Sequence, residues 1–369
     1  MKLNCGIVGL PNVGKSTLFS ALTAKHVPME NYPFCTVDPN VGVVAVPDKR
    51  LNQLGEILGI GNRIPAVVEF VDIAGLVEGA SKGEGLGNRF LAHIREVGLI
   101  AHVVRCFEDP DIIHVTGKID PTRDIEIVDI ELALADLETV EKVKERTNRL
   151  LRSDNKEVVA EATSLEPLLD SLREILSNAK PARSLELTKE QKELIRDLHL
   201  TTMKRQLLLC NIDEEGLEKE SELLRSVFKY AEGGAAECLT LCAQLESEIA
   251  FLDSESDKEA FLDSAGLQES GLHRFIEKAY ELLGLRTFFT ENGSELRAWT
   301  FKNGDTAYTA AGTIHTDFQK GFIKAEVYDC RDLIELGSVA KVREAGRLRI
   351  EGRDYLVRDG DVILFRFNR

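Results

Sequence analysis

Short apolar runs separated by polar, glycine-containing segments recur over residues 1–121 and again over residues 203–283. Runs that are apolar throughout, without alternation, are typical of parallel strands buried on both faces of a sheet. The predicted strands cover residues 3–8, 41–46, 66–71, 99–107, 206–210 and 237–244. Helical spacing follows the first strand at 17–23 and recurs at 271–283. The pattern therefore predicts an α/β domain built on a parallel sheet.

Residues 122–202 show a different period, with apolar positions three and four residues apart. The first predicted helix has the stripe Ile127, Ile130, Leu134, Leu137, Val140 and Val143, and the second has Val158, Ala162, Leu165, Leu169, Leu172 and Ile175. Two such helices in succession predict an antiparallel helical hairpin, inserted into the α/β domain. A third helix is indicated by the capping-box spacing of Thr188 and Gln191, with Leu187 as the hydrophobic staple.

From residue 287 the apolar positions change to a period of two. This alternation predicts strands at 287–290, 297–301, 322–328, 354–357 and 362–367, with a short helix at 310–315. A small α+β domain with its own core is therefore expected at 284–369. It contains no constellation of residues that suggests catalysis.

The composition limits the class of protein. At 369 residues the chain is too long for one ordinary core, so two or three domains are expected. The formal charge of -16 argues against a protein that binds nucleic acid over its whole surface. No apolar stretch reaches membrane-spanning length and no signal-like segment precedes the first strand, so a cytoplasmic protein is expected. The seven cysteines are scattered and indicate reduced core residues.

The segment Gly9–Thr17, GLPNVGKST, matches the phosphate-binding pattern G-x-x-x-x-G-K-[ST] between a predicted strand and a predicted helix. Its glycines let the loop wrap around a polyphosphate, so that backbone N–H groups and the helix N-terminus face the anion. Lys15 is expected to reach the β- and γ-phosphates, and the Ser16 hydroxyl to ligate Mg²⁺. A glycine-rich turn without this role would not require Lys-Ser at this offset. The expected nucleotide-binding residues of the loop are Asn12, Val13, Gly14, Lys15, Ser16 and Thr17.

Two further segments supply candidates for the metal and the γ-phosphate. The strand at 66–71 leads into the D-x-x-G sequence 72–75, at the edge where open α/β sheets bind ligands. Asp72 would hold Mg²⁺ through water, and Gly75 would offer its N–H to the γ-phosphate. Thr36, in the polar segment 31–40, is the candidate threonine that closes over Mg²⁺. A turn residue without such a role is the alternative for Thr36.

The residue after Gly75 bears on hydrolysis. Ras-type GTPases place a water-orienting glutamine there, and this chain has Leu76. Because an aliphatic side chain cannot orient water, hydrolysis is expected to be slow, to use another residue, or to need a partner. His114, just beyond the strand 99–107, is the candidate, beside Lys15 and Gly75 as the other expected catalytic residues. From its position alone, a surface histidine is the commoner outcome.

The strand at 206–210 ends in Asn211-Ile212-Asp213-Glu214, where GTPases have N-K-x-D. In those proteins the aspartate accepts two hydrogen bonds from guanine. Glu214 is one methylene longer and Ile212 replaces the lysine, so guanine selectivity should be lost and adenine becomes a candidate base. Cys242 and Ala243, at the end of the last predicted core strand, are expected to contact the base through the backbone.

Taken together, these motifs resemble those of the YchF/Obg-like ATPase family over essentially the whole chain. The matching segments are Gly9–Thr17, 31–40, 72–76, 83–90, 211–214, 311–318 and 357–363. The resemblance implies a P-loop NTPase domain at 1–121 and 203–283, a helical insertion at 122–202, and a C-terminal β-grasp domain of the TGS type at 284–369. It also implies that ATP is preferred over GTP, that Ser16 and Thr36 bind Mg²⁺, and that slow hydrolysis involves His114. The expected partner is the large ribosomal subunit or the assembled ribosome.

The expected function is an ATP-binding, slowly hydrolysing molecular switch. A GTPase switch of the same fold, with Glu214 still reading guanine, is the alternative. A pure binding scaffold is disfavoured, because its degenerate pocket would not retain the phosphate- and metal-binding residues together. Those residues are Lys15, Ser16, Asp72 and Gly75.

An acidic chain can contact ribosomal RNA only through local basic surface. Two segments qualify. One is a helix face with Lys142, Arg146, Arg149 and Lys156, and the other is the C-terminal domain with Arg343, Arg347, Arg349 and Arg353. We favour the helical hairpin, because it is expected to project from the acidic nucleotide domain. A solvated helix face with mixed salt bridges is the alternative. Contact with DNA or a membrane is not expected.

Overall fold

The protein is described by a computed structural model that covers residues 3–24, 40–73, 88–115, 117–233, 236–252 and 254–368. These residues form two compact units. The first unit contains the described residues up to 42 together with those from 70 to 272, and the second contains 43–69 and 273–368. The domain boundaries expected from the sequence, at 121/122, 202/203 and 283/284, stay predictions.

The described residues contain the strands β1 (Asn4–Val8), β2 (Val41–Ala45), β3 (Asn62–Ile64), β4 (Val67–Asp72), β5 (Leu99–Arg105), β6 (Arg205–Asn211), β7 (Ala236–Leu241), β8 (Leu285–Glu291), β9 (Glu295–Lys302), β10 (Phe322–Asp329), β11 (Arg349–Glu351) and β12 (Asp361–Phe367). The helices of the first unit are α1 (Lys15–Thr23), α3 (Asn88–Glu96), α4 (Pro121–Leu150), α5 (Lys156–Ser177), α6 (Lys189–Leu194), α7 (Glu215–Glu218), α8 (Glu222–Gly233), α9 (Ala243–Ala250) and α10 (Glu255–Ser264). Those that lie wholly or mostly in the second are α2 (Lys49–Leu58), α11 (Gly271–Leu282), α12 (Ala307–Ile314), α13 (Thr316–Lys320), α14 (Cys330–Leu336) and α15 (Val339–Glu344).

The sheet of the first unit has the strand order β2-β4-β1-β5-β6-β7. The adjacent strands β1, β5, β6 and β7 run parallel to one another. Both β1 and β5 are buried over their whole length, as their largely apolar sequences predicted. The expected α/β class with a parallel sheet is therefore confirmed. The strand predicted at 237–244 was too long, because Cys242 is already the N-cap of α9.

Helices α4 and α5 pack against each other as the predicted hairpin. The register predicted for the first helix was partly wrong, because Ile130 and Leu134 are 43% and 53% exposed. This helix is buried by different partners along its length. Ile125 near its start belongs to a cluster beside the sheet, whereas Val140 belongs to the cluster of the hairpin. A single apolar stripe does not describe a helix with two partners. The capping box of Thr188 and Gln191 is confirmed.

A buried carboxylate ties the hairpin to the segment by which the chain returns to the sheet. Asp136 of α4 is 1% exposed. Its Oδ1 accepts hydrogen bonds from the N and Oγ1 of Thr201 at 2.9 and 3.0 Å, and its Oδ2 from the N and Oγ1 of Thr202 at 2.7 and 2.6 Å. Since four donors converge on one side chain, the place where the chain re-enters β6 is firmly held.

The second unit has a sheet with the order β11-β10-β12-β8-β9-β3. Its core is an aromatic and aliphatic cluster that includes Phe288, Phe301, Val327 and Phe365. The strand β3 comes from the N-terminal half of the chain and pairs in parallel with β9. The strand predicted at 354–357 was wrong, since Leu356 forms only an isolated bridge with Thr306 and the strand β11 ends before these residues. Tyr355 instead lies in a turn and donates a hydrogen bond from its hydroxyl to Asp361 Oδ2, at 2.9 Å.

Among the helices of the described residues, none combines the length and the apolar character needed to cross a membrane.

Candidate functional site

The loop between β1 and α1 forms one wall of a cleft. Gly14 has a φ of 93°, in the left-handed region, and a Cβ placed there would lie 2.2 Å from Asn211 Nδ2. This position therefore requires glycine. No side chain of the described residues caps α1, which leaves the first N–H groups of the helix for an anion. Ser16 and Thr17 are exposed and line the cleft, and their binding of nucleotide and Mg²⁺ stays a prediction.

The cleft has a volume of about 740 Å³, which is in the range of sites for small organic ligands. It is lined by residues 10–12, 14–17, 107–109, 112, 211–215 and 242–244. Three segments that were predicted separately from the sequence, the phosphate loop, 211–214 and 242–243, thus meet in one place. Val13 is almost fully buried behind this wall. Its carbonyl, rather than its side chain, takes part in the site by accepting a hydrogen bond from Asn211.

The phosphate-side cation and the metal-side carboxylate lie together. Lys15 Nζ donates to Asp72 Oδ1, with the two side chains 14% and 22% exposed. Hydroxyl and carboxylate oxygens such as those of Ser16 and Asp72 are the hard ligands that Mg²⁺ prefers. Within the described residues no group of three or more His, Cys, Asp or Glu side chains is arranged to hold a metal. The residues present therefore fit a Mg²⁺ ion that is bound together with phosphate oxygens and water.

Asn211 joins two walls of the cleft. Its Nδ2 donates to Val13 O at 2.9 Å, and its Oδ1 accepts from Ala243 N at 2.9 Å. The side chain is 4% exposed and both of its polar ends are occupied. Asn211 therefore holds the phosphate loop and the start of α9 in fixed register, and its first role is to shape the site.

The base-side residues are differently placed from one another. Ile212 is 3% exposed and belongs to the apolar cluster beneath β6 and β7. Glu214 is exposed and lines the cleft, so its carboxylate can reach a ligand. Cys242 and Ala243 form the N-cap and first residue of α9. Both residues line the cleft, and their backbone contact with a base stays a prediction.

The segment after β5 contains functional residues that the sequence analysis missed. Arg105, at the end of β5, is 0% exposed and donates to the carbonyl oxygens of Phe107, Asp109 and Ile112, at 3.2, 3.2 and 2.9 Å. Burial lowers the pKa of its guanidinium, although an arginine stays charged. Its guanidinium carbon lies 4.6 Å from the centre of the Phe107 ring, which lines the cleft. An arginine inside an otherwise apolar strand was the available signal.

A hydrogen bond connects the phosphate loop to the same segment. Asn12 has a φ of 61° and donates from Nδ2 to the carbonyl of Ile113, at 3.0 Å. Asparagine is one of the few residues that adopt this left-handed conformation readily. The phosphate loop therefore holds the residue immediately before His114.

His114, the catalytic candidate for which a surface position was the alternative, is buried. His114 is 6% exposed, and its Nε2 lies 2.9 Å from Asp124 Oδ2, in the first turn of α4. Burial raises the pKa of Asp124, and the hydrogen bond with His114 opposes that shift. The surface interpretation was wrong because the pairing with Asp124 cannot be recognised from either residue alone.

Some candidates lie outside the described residues, namely Thr36, Gly75 and Leu76.

The proposed basic helix face needs a correction, because α4 ends at Leu150 and Lys156 is the first residue of α5. A period continued across the turn at 151–155 cannot place Lys156 on the same face. Lys142 forms an ion pair with Glu138 at 2.6 Å. In the C-terminal set, Arg347 pairs with Asp332 and Glu335, and Arg349 with Asp361.

Comparison with known proteins finds similarity along the whole chain. Residues 285–368 match the family model YchF-GTPase_C, described as a protein of unknown function, and residues 4–160 match MMR_HSR1, described as a 50S ribosome-binding GTPase. The chain is 51% identical to the ribosome-binding ATPase YchF of Bacillus subtilis and 50% identical to that of Haemophilus influenzae, with 100% of each chain covered. The structure of the Schizosaccharomyces pombe YchF GTPase matches with a TM-score of 0.90 and 35% identity, over 99% of this chain and 97% of that one.

Proposed function

This chain belongs to the YchF family, and from that membership we propose that it is a cytoplasmic, ribosome-associated ATPase that binds ATP with Mg²⁺ and hydrolyses it slowly. The observation that carries the proposal is the single cleft shared by the phosphate loop, residues 211–215 and the start of α9. Such a cleft can hold a triphosphate at one end and a base at the other. The domain boundaries 1–121 with 203–283, 122–202 and a TGS domain at 284–369 are part of this proposal.

The phosphates bind to backbone N–H groups of residues 12–17 and to Lys15, which exchanges its contact with Asp72 for the β- and γ-phosphates. Mg²⁺, held by Ser16 and Thr36 and through water by Asp72, would neutralise the charge that develops on the phosphate oxygens. Gly75 contributes its N–H to the γ-phosphate. The exchange of Lys15 from carboxylate to phosphate couples nucleotide binding to the strand end at Asp72.

The choice of base follows from Glu214. Its carboxylate is exposed in the cleft, one methylene further from the backbone than the aspartate that reads guanine. A site built to hydrogen-bond one group discriminates strongly only when its geometry is right, so selection for guanine is weakened. ATP is the substrate we propose. The alternative, GTP, is favoured by one observation: the matching family model and the fission yeast structure are both described as those of GTPases.

Hydrolysis is proposed to be slow because the residue that follows Gly75 is Leu76, which cannot orient a water molecule. We assign that task to His114. Since its ring is buried against Asp124, a change in the segment 107–115 must precede the reaction. Replacing His114 with alanine is expected to lower kcat while leaving ATP affinity nearly unchanged.

Nucleotide choice is the experiment that tests the proposal. Fluorescent ATP and GTP analogues are titrated into the full-length protein, and ATP is expected to bind at least several-fold more tightly. Glu214→Asp should shift the preference towards GTP by roughly 1–3 kcal/mol. Glu215→Asp, which shortens a neighbouring carboxylate of the same cleft, is the matched control and should change nothing. Ile212 is left intact, because a lysine there would place a charge in an apolar cluster.

Equal affinities for ATP and GTP in the natural protein would remove the basis for an ATPase and support the GTPase alternative. The ribosome part of the proposal rests on the names of the relatives. It is checked by co-sedimentation of the protein with purified large subunits and assembled ribosomes, with ADP or a non-hydrolysable ATP analogue. Absence from both pellets in both nucleotide states would refute it.

A further inference from the structure

The burial of the segment 112–115 is inverted. Its apolar side chains face solvent, with Ile112 36%, Ile113 78% and Val115 44% exposed, while His114 between them is 6% exposed. Apolar side chains normally lie inside and imidazoles near the surface. Exposing these three apolar side chains to solvent costs free energy. Another conformation of the segment that buried both isoleucines and the valine would recover it.

His114 faces away from the nucleotide site in this arrangement. Its neighbours Asp109 and Ile112 line the cleft, whereas His114 is absent from the described residues that do so. Its Nε2 is directed to Asp124 Oδ2, and both side chains are almost fully buried, at 3% and 2% exposed. A water molecule that attacks the γ-phosphate must be reached from the cleft. The imidazole therefore has to leave Asp124 before it can act.

Asp124 makes that departure costly. Its other oxygen, Oδ1, is buried and has no hydrogen-bond partner among the described residues. If His114 leaves, the carboxylate keeps neither partner that its charge needs in the interior. Besides His114, Asp120 repels the charge of this carboxylate and Arg123 attracts it. Separating His114 from Asp124 therefore costs free energy.

We propose that the contact between His114 and Asp124 is an autoinhibitory brake, which keeps the hydrolytic histidine out of the nucleotide site until α4 moves. The proposal rests on the function assigned to His114 above. Asp124 acts through His114 and is a positioning residue. Arg105 and Asn12 hold the segment that leads into this contact, through the carbonyls of Phe107, Asp109, Ile112 and Ile113.

The helix that carries Asp124 also explains how the brake can be released. Asp124 lies in the first turn of α4, a helix of 30 residues that is about 45 Å long at 1.5 Å per residue. Arg146 and Arg149 lie near its other end and are exposed. A partner that binds this far end and shifts the helix displaces Asp124 from His114, so partner binding is converted into faster hydrolysis.

The brake is tested with Asp124→Asn, which keeps the shape of the side chain and removes its charge. The kcat for ATP is expected to rise roughly three- to tenfold with KM unchanged, because the charged hydrogen bond that holds His114 is weakened. Glu126→Gln, an exposed carboxylate on the same helix, is the matched control and should turn over at the natural rate. The double variant His114→Ala with Asp124→Asn should lose the gain entirely.

The outcomes separate this proposal from the function on which it rests. If Asp124→Asn is as slow as His114→Ala, Asp124 orients the active histidine and there is no brake, while the ATPase assignment stands. If His114→Ala itself hydrolyses ATP at the natural rate, the role assigned to His114 is wrong and the autoinhibitory proposal is refuted as well.

A second measurement needs no variant and no turnover. In the natural full-length protein, diethyl pyrocarbonate should modify His114 much more slowly than the exposed His93, and bound ribosomes should accelerate that reaction. Mass spectrometry of the peptides measures both rates. Equal rates for the two histidines in the free protein would show that the contact is not held, and the proposal would be overturned.

Discussion

Replacing Arg105 with methionine is expected to loosen the segment after β5 that lines the cleft. Methionine keeps an unbranched apolar stem of similar volume but donates no hydrogen bond. Three carbonyl oxygens, of Phe107, Asp109 and Ile112, lose their donors at once. The strand β5 that carries Arg105 is fully buried and should itself be little affected.

The size of the effect follows from these contacts. A hydrogen bond from a charged donor contributes roughly 1.5–3 kcal/mol, so three would give more than about 4 kcal/mol. The freed carbonyls can bind water, and the cost of burying the guanidinium, visible as its lowered pKa, disappears. We therefore expect a local loss of about 3–4 kcal/mol. At 1.4 kcal/mol per factor of ten, the segment should open roughly 10²–10³ times more often.

Native-state hydrogen exchange measures this opening directly. The amides of Asp111 and Ile112 are bonded to Asp109 within the segment and should exchange faster by that factor. The amide of Cys106, bonded to Asn211 O in the sheet, should not change. ATP affinity should fall several-fold, because Phe107 and Ile112 line the cleft.

Arg205→Met, at an exposed position on the neighbouring strand β6, is the matched control. It removes the same charge and should alter neither exchange nor affinity. If Arg105→Met leaves the amides of the segment as protected as before, the guanidinium does not organise it and the reasoning fails.

Two further predictions concern pH and charge. Burial lowers the pKa of His102 from 6.5 to about 4, so between these values the unfolded chain binds a proton that the folded protein does not. The free energy of unfolding of the first unit should therefore fall by about 3 kcal/mol as the pH drops from 7 to 4, and His102→Gln should abolish this pH dependence. Hydrogen exchange of the β5 amides, corrected for intrinsic rates, measures it. The same pH dependence in the natural protein and the variant would contradict the prediction. Reversing Arg146 and Arg149 to glutamate should reduce co-sedimentation with ribosomes and its salt dependence, whereas the same reversal at Lys189 and Lys192 should not; equal pelleting of both variants would exclude this face of α4.

Local sequence was sufficient for features whose partners are close in the chain. The phosphate loop joins one strand to the next helix, so Gly14, Lys15 and Ser16 could be placed from their order alone. The capping box of Thr188 and Gln191 spans a single turn, and the buried strands β1 and β5 follow from largely apolar runs.

Contacts between distant segments could not be predicted in this way. The burial of His114 could not be predicted, because nothing near it in the sequence marks Asp124 as its partner. The face of α4 was misjudged at Ile130 and Leu134, since the helix meets two different clusters along its length. Lys156 was assigned to α4 because a helical period carries no information about a turn that interrupts it.

The pairing of β3 with β9 sets a schedule for folding during synthesis. Residues 43–69 emerge from the translating ribosome long before β9, yet β3 pairs with β9 and the Val67 carbonyl accepts a hydrogen bond from Thr300 Oγ1. Until β9 has left the ribosome, β3 has no partner strand, and an unpaired strand edge is a site of aggregation. Contacts over such sequence distances also slow folding. Completion of the second unit is therefore expected only after β9 and β12 have been synthesised, and a chain cut after residue 283 would never reach that step.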